Sequence, residues 1–356
     1  MKAIGIICEY NPFHNGHKYQ IEQVKKLYPD AIIVAIMSGQ FVQRGEPAFI
    51  NKFMRTKMAL DYVDLVVELP QFYAVSYADD FARGGIMIAK KLGLEGLSFG
   101  SESGDLNKID FEIKSPTRED IRTGAAYPKL MSADLKSNDI LAHAYVKATR
   151  EIYPTLTLIP ISRINNNYTD EVLTGTISSA TAIRKNYFND NDIKETMPHS
   201  ELIVNAVRWE DYFTLLKYRM LSMNVLELQE IYTVYEGLEN RLKKVISEVE
   251  TFDELIEKMV SKRYTRSRIQ RLLVYLLLNI KEKDVPRLKE ITAVRVLGMN
   301  DTGRKLIKSI EDVVIVTNVN RASRDYFGLE IKATEIYNLI SCSSMTDFNT
   351  PVVYKR

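Results

Sequence analysis

Residues 9–17 read Glu9-Tyr10-Asn11-Pro12-Phe13-His14-Asn15-Gly16-His17 and follow the apolar run Ala3-Ile4-Gly5-Ile6-Ile7-Cys8. The apolar run predicts a buried strand. Pro12 disfavours helix at the residue before it, so the strand should end in a loop. His14 and His17 flank Asn15-Gly16, where a helix should begin. A strand, a loop and a helix N-terminus in this order can bind phosphate.

Strand and helix patterns alternate through the first hundred residues. Apolar, β-branched runs predict strands at 3–8, 31–37, 64–69 and 96–99, with helical patterns between them at 17–27, 51–62 and 77–92. A further strand candidate is 155–159, closed by Pro160. This order predicts an α/β fold with a parallel sheet and right-handed crossovers. Ligands of such sheets bind beyond the carboxyl ends of the strands, where His14 should lie.

The pattern changes twice further along the chain. Residues at about 103–137 mix charges, glycine and proline, and we interpret them as an insertion before a helix at 138–152. Beyond a polar segment at 189–198, helices are predicted at 200–221, 225–250, 251–260, 266–281, 304–310 and 334–340, around an apolar run at 313–316. We therefore predict a domain of residues 1–195 that carries the phosphate site, and a mainly helical domain of residues 196–356.

The composition excludes several classes of protein. The chain has 356 residues, of which 46% are hydrophobic and 26% charged, and its net charge is +2. It can therefore bury sizeable cores, and any nucleic-acid surface must be a local patch. Cys8 and Cys342 are too few for a disulfide framework. The N-terminus lacks the form of a signal peptide and no apolar run approaches membrane-spanning length, so we expect a cytoplasmic protein with no membrane partner.

The two histidines suit chemistry at a phosphate. A helix N-terminus offers unpaired N–H groups and a partial positive charge, and His14 and His17 could donate further hydrogen bonds to phosphate oxygens there. They could also stabilise the charge that develops when an α-phosphate is attacked, without a covalent nucleophile. We therefore predict both as catalytic residues. The alternative is an ordinary helix start with no chemistry.

A second helix start resembles a phosphate site. Ser178-Ser179-Ala180-Thr181-Ala182-Ile183-Arg184-Lys185 follows a loop rich in glycine and threonine. Hydroxyls cap helix starts, and Arg184 brings positive charge to the same end. With the histidine turn, Ser179, Thr181 and Arg184 would complete a triphosphate clamp. The alternative is an N-capped helix with a solvated basic face.

These motifs resemble those of a known superfamily. Residues 11–17 are similar to the H-x-G-H signature of the nucleotidylyltransferases, which class I aminoacyl-tRNA synthetases share. Residues 179–184 resemble its second signature, Ser-Ser-Thr-x-Ile-Arg, except that Ala180 replaces the second serine. Longer motifs at 5–17, 37–45, 64–70 and 97–102 resemble the family of bacterial tRNA(Met) cytidine acetate ligases, and this resemblance covers essentially the whole chain.

The resemblance implies a Rossmann-like parallel-sheet nucleotidylyltransferase domain followed by a mainly α-helical domain. It also implies a ligase that converts acetate and ATP to acetyl-adenylate and acetylates N4 of the wobble cytidine (C34) of elongator tRNA(Met). Magnesium is expected with the ATP, although no carboxylate cluster marks its ligands and we predict no protein metal site. The implied ATP contacts are Ile7, Cys8, Glu9, Tyr10, Asn11, Pro12, Phe13, His14, Asn15, Gly16, His17, Lys18, Tyr19, Gln20, Gly100, Asn138 and Arg163.

The residues alone support part of that list. Gly100, at a strand end, could let adenine or ribose approach, and Arg163, soon after a strand, could reach a phosphate. Asn138 could equally be only a helix N-cap. Nothing in the composition or spacing reveals acetate.

A basic run supplies a candidate RNA surface. The stretch from Lys262 to Arg271 holds five basic residues and no acid, and Tyr264 interrupts it. Such a run at a helix start suits phosphate contacts and base stacking. We predict tRNA contacts at Lys262, Arg263, Tyr264, Arg266, Arg268 and Arg271. The alternative is a solvated helix face.

Two other functions remain open at this stage. A nucleotidylyltransferase acting on a small phosphorylated metabolite would share the first domain, but it would not explain the helical half or the basic run. A non-catalytic RNA-binding protein could retain the nucleotide-binding fold without its chemistry. The oligomeric state is not predicted.

Overall fold

The structure is a computed structural model that describes residues 2–102, 104–111, 137–163, 173 and 175–356. Most of the predicted insertion at about 103–137 lies outside these residues. Among the described residues, no helix combines the length and the apolar composition needed to cross a membrane.

The described strands form one large sheet and one short hairpin. Their bounds are Ala3–Cys8 (β1), Ile32–Ser38 (β2), Phe41–Val42 (β3), Glu46–Pro47 (β4), Leu65–Leu69 (β5), Gly96–Ser101 (β6), Thr157–Ser162 (β7), Ala293–Met299 (β8), Val314–Val316 (β9) and Val353–Tyr354 (β10). The sheet order is β10-β8-β5-β2-β1-β6-β7, with β9 beside β8, and β3 pairs with β4.

Helices cover both faces of the sheet and build most of the second half. The first group is Asn15–Leu27 (α1), Lys52–Ala59 (α2), Gln71–Ala74 (α3), Ala78–Lys91 (α4), Leu106–Phe111 (α5), Ser137–Ile152 (α6) and Ala180–Phe188 (α7). The second group is Phe213–Ser222 (α8), Val225–Gln229 (α9), Leu238–Ile246 (α10), Phe252–Met259 (α11), Arg266–Leu277 (α12), Val285–Leu288 (α13), Asp301–Lys308 (α14) and Gly328–Ser341 (α15). Short 3₁₀ turns lie at 194–196, 200–202, 209–212, 282–284 and 324–327.

The centre of the sheet is parallel, as predicted. Strand β1 lies between β2 and β6, and β5 and β7 extend the parallel pairing on either side. Side chains alternate between the faces, so Ile7 and Ile36 enter one core while Ile6 and Ala35 enter the other. Burial on both faces explains why these strands are continuous apolar runs. Their carboxyl ends share one edge.

Strand β8 corrects the expectation of a purely parallel sheet. Residues Ala293–Met299 fall in the predicted helical half, yet they pair antiparallel with β5. The sheet is therefore mixed, although mostly parallel. The division at residue 195 stays a prediction, and strands from beyond it complete the sheet.

Several predicted boundaries were wrong. Pro160 lies inside β7 opposite Phe99 and does not end the strand. A proline is tolerated there because β7 is the last described strand at that side of the sheet. The helix predicted at 225–250 is broken: one helix ends at Gln229 and the next begins at Leu238. Between them Thr233, Glu236 and Gly237 adopt positive φ angles, which an α-helix does not allow. The helix predicted at 200–221 starts only at Phe213.

The helical half packs directly against the loops that follow the strands. The Trp209 indole N–H donates to the carbonyl oxygen of Gly45 at 2.8 Å, and the Tyr275 hydroxyl donates to that of Val75 at 2.5 Å. Gly45 has φ +76° and lies so close to α12 that an added Cβ would be 2.2 Å from the backbone nitrogen of Arg271. These contacts place the start of α12 beside the carboxyl edge of the sheet.

Candidate active site

The two histidines cap helix α1. His14 is the N-cap residue, and its Nδ1 accepts a hydrogen bond from the Gly16 N–H at 3.0 Å. The His17 Nδ1 in turn accepts from the His14 N–H at 3.2 Å, and the two ring centroids are 3.8 Å apart. Because both Nδ1 atoms accept, each neutral ring carries its proton on Nε2. Each histidine therefore keeps one N–H donor for a ligand.

Both imidazoles are neutral at physiological pH. Burial, followed by the positive charges of Arg163 and Arg184, lowers the pKa of His14 from 6.5 to about 3. Burial also lowers the pKa of His17, with further contributions from His14 and Arg163. The rings thus act as hydrogen-bond donors beside fixed positive charges. An anion is the ligand that suits such a group.

Neighbouring side chains hold this turn in place. The Asn15 side-chain amide donates to the carbonyl oxygens of Thr176 and Glu195, at 2.7 and 2.8 Å, which ties the start of α1 to the segments on either side of α7. Phe13 is buried and stacks on Tyr62 with the ring centroids 5.0 Å apart. These contacts hold the turn in position.

The side chain of Arg55 on α2 holds together the loops that follow β1 and β2. Its guanidinium donates to the carbonyl oxygens of Ile50 (3.0 Å), Glu9 (2.6 Å), Ser38 (3.0 Å) and Gly39, and the side chain is fully buried. Burial lowers its pKa to about 10, so it stays charged at neutral pH. One cation thus satisfies carbonyl groups at the ends of both β1 and β2.

A cavity of about 1080 Å³ opens in front of the histidines. Its wall comes from the ends of β1, β6 and β7, the starts of α1, α6 and α7, and the start of α12. The predicted ATP contacts that line it are Ile7, Cys8, Glu9, Tyr10, Asn11, His14, Gly16, His17, Tyr19, Gln20, Gly100, Asn138, Arg163 and Ser179. Residues from distant parts of the sequence therefore meet in one space.

The six other predicted ATP contacts do not line the cavity: Pro12, Phe13, Asn15, Lys18, Thr181 and Arg184. Arg184 donates to the Asn11 carbonyl oxygen at 2.8 Å and pairs with Glu46 at 3.4 Å. Lys18 lies on the solvent side of α1, 3.9 Å from Glu22. Arg184 and Asn15 therefore support the turn from outside the cavity. Ser179 caps α7 by accepting from the Ala182 N–H at 3.0 Å.

The basic residues between Lys262 and Arg271 also divide into those that line the cavity and those that do not. Arg263, Arg268 and Arg271 line the cavity, whereas Lys262 and Arg266 point elsewhere and Arg266 pairs with Asp253. Tyr264 is only 7% exposed, and the Arg268 guanidinium lies 4.6 Å from its ring centroid. The ring therefore supports an arginine, and the open face expected for base stacking is absent.

Sequence reasoning missed several cavity residues. Gln43 and Arg44 line the wall from the β3–β4 hairpin, and both lie in the motif quoted at 37–45. Tyr77 and Tyr235 also line it and are 45% and 49% exposed. No periodic signal marks these tyrosines as cavity residues: Tyr77 is the N-cap of α4, and Tyr235 lies shortly before α10.

The described residues do not fit a protein-held metal centre. No group of three or more histidine, cysteine or acidic side chains among them converges as a metal site. On the cavity wall, the Glu9 carboxylate accepts from the Gln43 N–H at 3.0 Å and its pKa is raised by burial, while Asp79 pairs with Lys147 at 2.9 Å. Magnesium retains water and prefers substrate phosphates as partners. Any magnesium here would be held mainly by a bound nucleotide.

A parallel sheet with a histidine-capped helix at its carboxyl edge defines a nucleotidyl transferase of the HIGH type, and the HIGH Nucleotidyl Transferase family profile matches residues 1–349. A tRNA(Met) cytidine acetate ligase of Staphylococcus saprophyticus is 41% identical, over 99% of this chain and 100% of the relative. The chain belongs to the tRNA(Met) cytidine acetate ligase family.

Solved structures agree with this assignment. Thermotoga maritima TmcAL, crystallised without ligand, is 27% identical with a TM-score of 0.91 over the whole of both chains. The same protein bound with alpha-thio ATP gives a TM-score of 0.88, again over the whole of both chains. The predicted fold class and the predicted resemblance are both confirmed.

Proposed function

We propose that this protein is an ATP-dependent ligase that activates acetate as acetyl-adenylate and then acetylates N4 of the wobble cytidine (C34) of elongator tRNA(Met). One observation carries the proposal. The neutral pair His14 and His17 and the basic start of α12 line one continuous cavity. A nucleotide site and a basic surface thus share a space in which an activated acid could meet an RNA base.

The end of the cavity that His14 and His17 line suits the triphosphate of ATP. The two Nε2–H donors, the N-terminus of α1 and Arg163 together favour negative charge. In the first step a carboxylate oxygen of acetate attacks the α-phosphorus, and pyrophosphate leaves. Donors already aimed at the phosphate stabilise the additional charge without reorganising. Magnesium would neutralise the outer phosphates.

The second step needs an exposed amine beside the adenylate. The cytidine N4 attacks the carbonyl carbon, AMP leaves and the amine loses a proton. An anticodon base lies in a loop, so extruding it costs less than flipping a base out of a duplex. Arg263 and Arg268 lie at the same cavity and would bind the flanking phosphates. Under this proposal, residues 1–195 bind ATP and residues 196–356 bind tRNA.

The direct test uses ATP, labelled acetate and elongator tRNA(Met). We expect label on cytidine, and none on a transcript in which uridine replaces the wobble cytidine. Absence of label from the cytidine transcript would overturn the proposal. ATP turnover with a small phosphorylated metabolite, indifferent to tRNA, would favour the simple nucleotidylyltransferase instead.

A further inference from the structure

Arg271 on α12 is a buried cation on the inner wall of the cavity. Its side chain is only 5% exposed. The guanidinium lies 4.1 Å from the ring centroid of Tyr77, and Nη1 donates to the carbonyl oxygen of Gln43 at 3.3 Å. The residue is thus held by a ring and by one backbone group.

No acid compensates this charge among the described residues. Arg271 makes no ion pair with a described carboxylate, and its Nε has no hydrogen-bond partner there. Burial lowers the pKa of Arg271, the Tyr77 and Tyr275 hydroxyls oppose this shift, and the positive charge of Arg44 on the β3–β4 hairpin makes a smaller lowering contribution. A buried charge without a counterion is destabilising, and a bound anion would offset that cost.

The surroundings favour a small anion. Arg263 and Arg268, at the start of the helix, are more exposed and suit the backbone of a large polyanion. Arg271 lies one turn further into the helix, where a compact ligand can reach it. Tyr77, Ala78 and Phe81 add apolar surface to the wall nearby. A short carboxylic acid has both the negative charge and the apolar end that the cavity wall around Arg271 would accept.

A short chain of contacts links the cavity wall around Arg271 to the histidine turn. The Gln43 carbonyl oxygen accepts from Arg271, and the Gln43 N–H donates to the Glu9 carboxylate at 3.0 Å. Glu9 begins the loop that leads to His14. The part of the cavity wall around Arg271 is therefore connected to the histidine turn through Gln43 and Glu9.

We propose that Arg271, supported by Tyr77, binds the carboxylate of the acid substrate. The inference rests on the proposed function, in which that acid is acetate. The guanidinium would hold one carboxylate oxygen while the other forms its bond to the α-phosphorus and the bond to pyrophosphate breaks. Arginine keeps its charge in a buried position, whereas a buried lysine readily loses its proton.

The test is acetate-driven exchange of pyrophosphate into ATP, measured with and without tRNA. We compare wild type, Arg271→Gln and Arg271→Lys, with Arg287→Gln, an exposed arginine of α13 that does not line the cavity, as a control. Arg271→Gln should raise the KM for acetate at least tenfold and leave the KM for ATP within twofold. Arg271→Lys should give an intermediate increase, and Arg287→Gln should match wild type.

The outcomes separate the two proposals. No acetate-dependent exchange by the wild type in either condition would overturn the proposed function, and this inference with it. Exchange by the wild type with an unchanged acetate KM in Arg271→Gln would overturn only the inference. A rise confined to the KM for tRNA in the complete reaction would assign Arg271 to the RNA surface and also overturn it. If Arg271→Gln does not fold, the acetate KM of Arg271→Lys decides.

Discussion

Arg184 on α7 donates a hydrogen bond to the backbone carbonyl oxygen of Asn11 at 2.8 Å, across 173 residues of sequence. This contact fastens the second predicted phosphate motif to the first. The same guanidinium pairs with Glu46 at 3.4 Å, so three segments depend on one side chain. The contacts of Arg184 therefore help to fix the shape of the cavity in front of the histidines.

Replacing Arg184 should therefore weaken nucleotide binding. We expect Arg184→Gln to raise the Kd for ATP roughly 10- to 100-fold, since a charge-assisted hydrogen bond contributes roughly 1.5–3 kcal/mol. Calorimetric titration with ATP measures this. Lys185→Gln, the exposed neighbour of Arg184 on the same helix, is the matched control and should bind as wild type does. Equal affinities for all three proteins would contradict the positioning role.

The histidine pair should be essential for catalysis beyond its capping role. His14→Asn keeps a side chain that caps helices well but removes the imidazole donor. We expect it to fold normally and to lose about 10²-fold in acetate-dependent pyrophosphate exchange, the loss typical for one oxyanion donor. His17→Asn should behave similarly. Wild-type turnover in either variant would mean that the rings only cap the helix.

The lowered pKa of His14 predicts a pH-dependent stability. Between about pH 6.5 and 3 the unfolded chain binds a proton at His14 that the folded chain does not, so the free energy of unfolding falls as the pH falls. At pH 5 this should cost the wild type about 2 kcal/mol, at about 1.4 kcal/mol per pH unit. Urea unfolding of wild type and His14→Asn at pH 7 and pH 5 isolates the effect. An identical loss in both proteins would refute the buried neutral state.

Arg55 should be the most costly arginine to replace. Arg55→Met removes the donors to carbonyl oxygens at the ends of β1 and β2 and leaves those groups unpaired in the core. We expect a loss of roughly 3 kcal/mol or more in the free energy of unfolding, because several buried acceptors lose their partner. Denaturant unfolding measures it, with Lys57→Met on the exposed side of α2 as control.

The basic residues at the cavity should differ in their effect on RNA. Arg268 packs on Tyr264 and lies 3.2 Å from the Tyr235 hydroxyl, so it is held in place at the cavity. Arg268→Gln should weaken tRNA binding and reduce the slope of log K against log salt by about 1, with ATP affinity unchanged. Arg266→Gln should have the smaller effect, because Arg266 points away from the cavity. Filter binding at several salt concentrations distinguishes the two.

Sequence reasoning succeeded where one local signal dominates. Strands β1, β2, β5 and β6 lie within two residues of their predicted ends, because continuous apolar runs between turn residues have few other interpretations. It failed for Ala293–Met299, whose strand depends on pairing with β5 more than 200 residues earlier in the sequence. It also extended helices through Thr233 and Glu236, whose left-handed backbone leaves no periodic trace.

The sequence by itself determined where the central parallel strands lie along the chain, the loop after the first of them and the pair of histidines at the next helix start. These features follow from hydrophobic runs, a proline and local capping. Only the tertiary structure decided which basic residues face the nucleotide site. The five basic residues between Lys262 and Arg271 carry similar local signals. Only Arg263, Arg268 and Arg271 among them line the cavity, because α12 packs closely against Gly45. That packing is a contact between distant segments, and no local pattern encodes it.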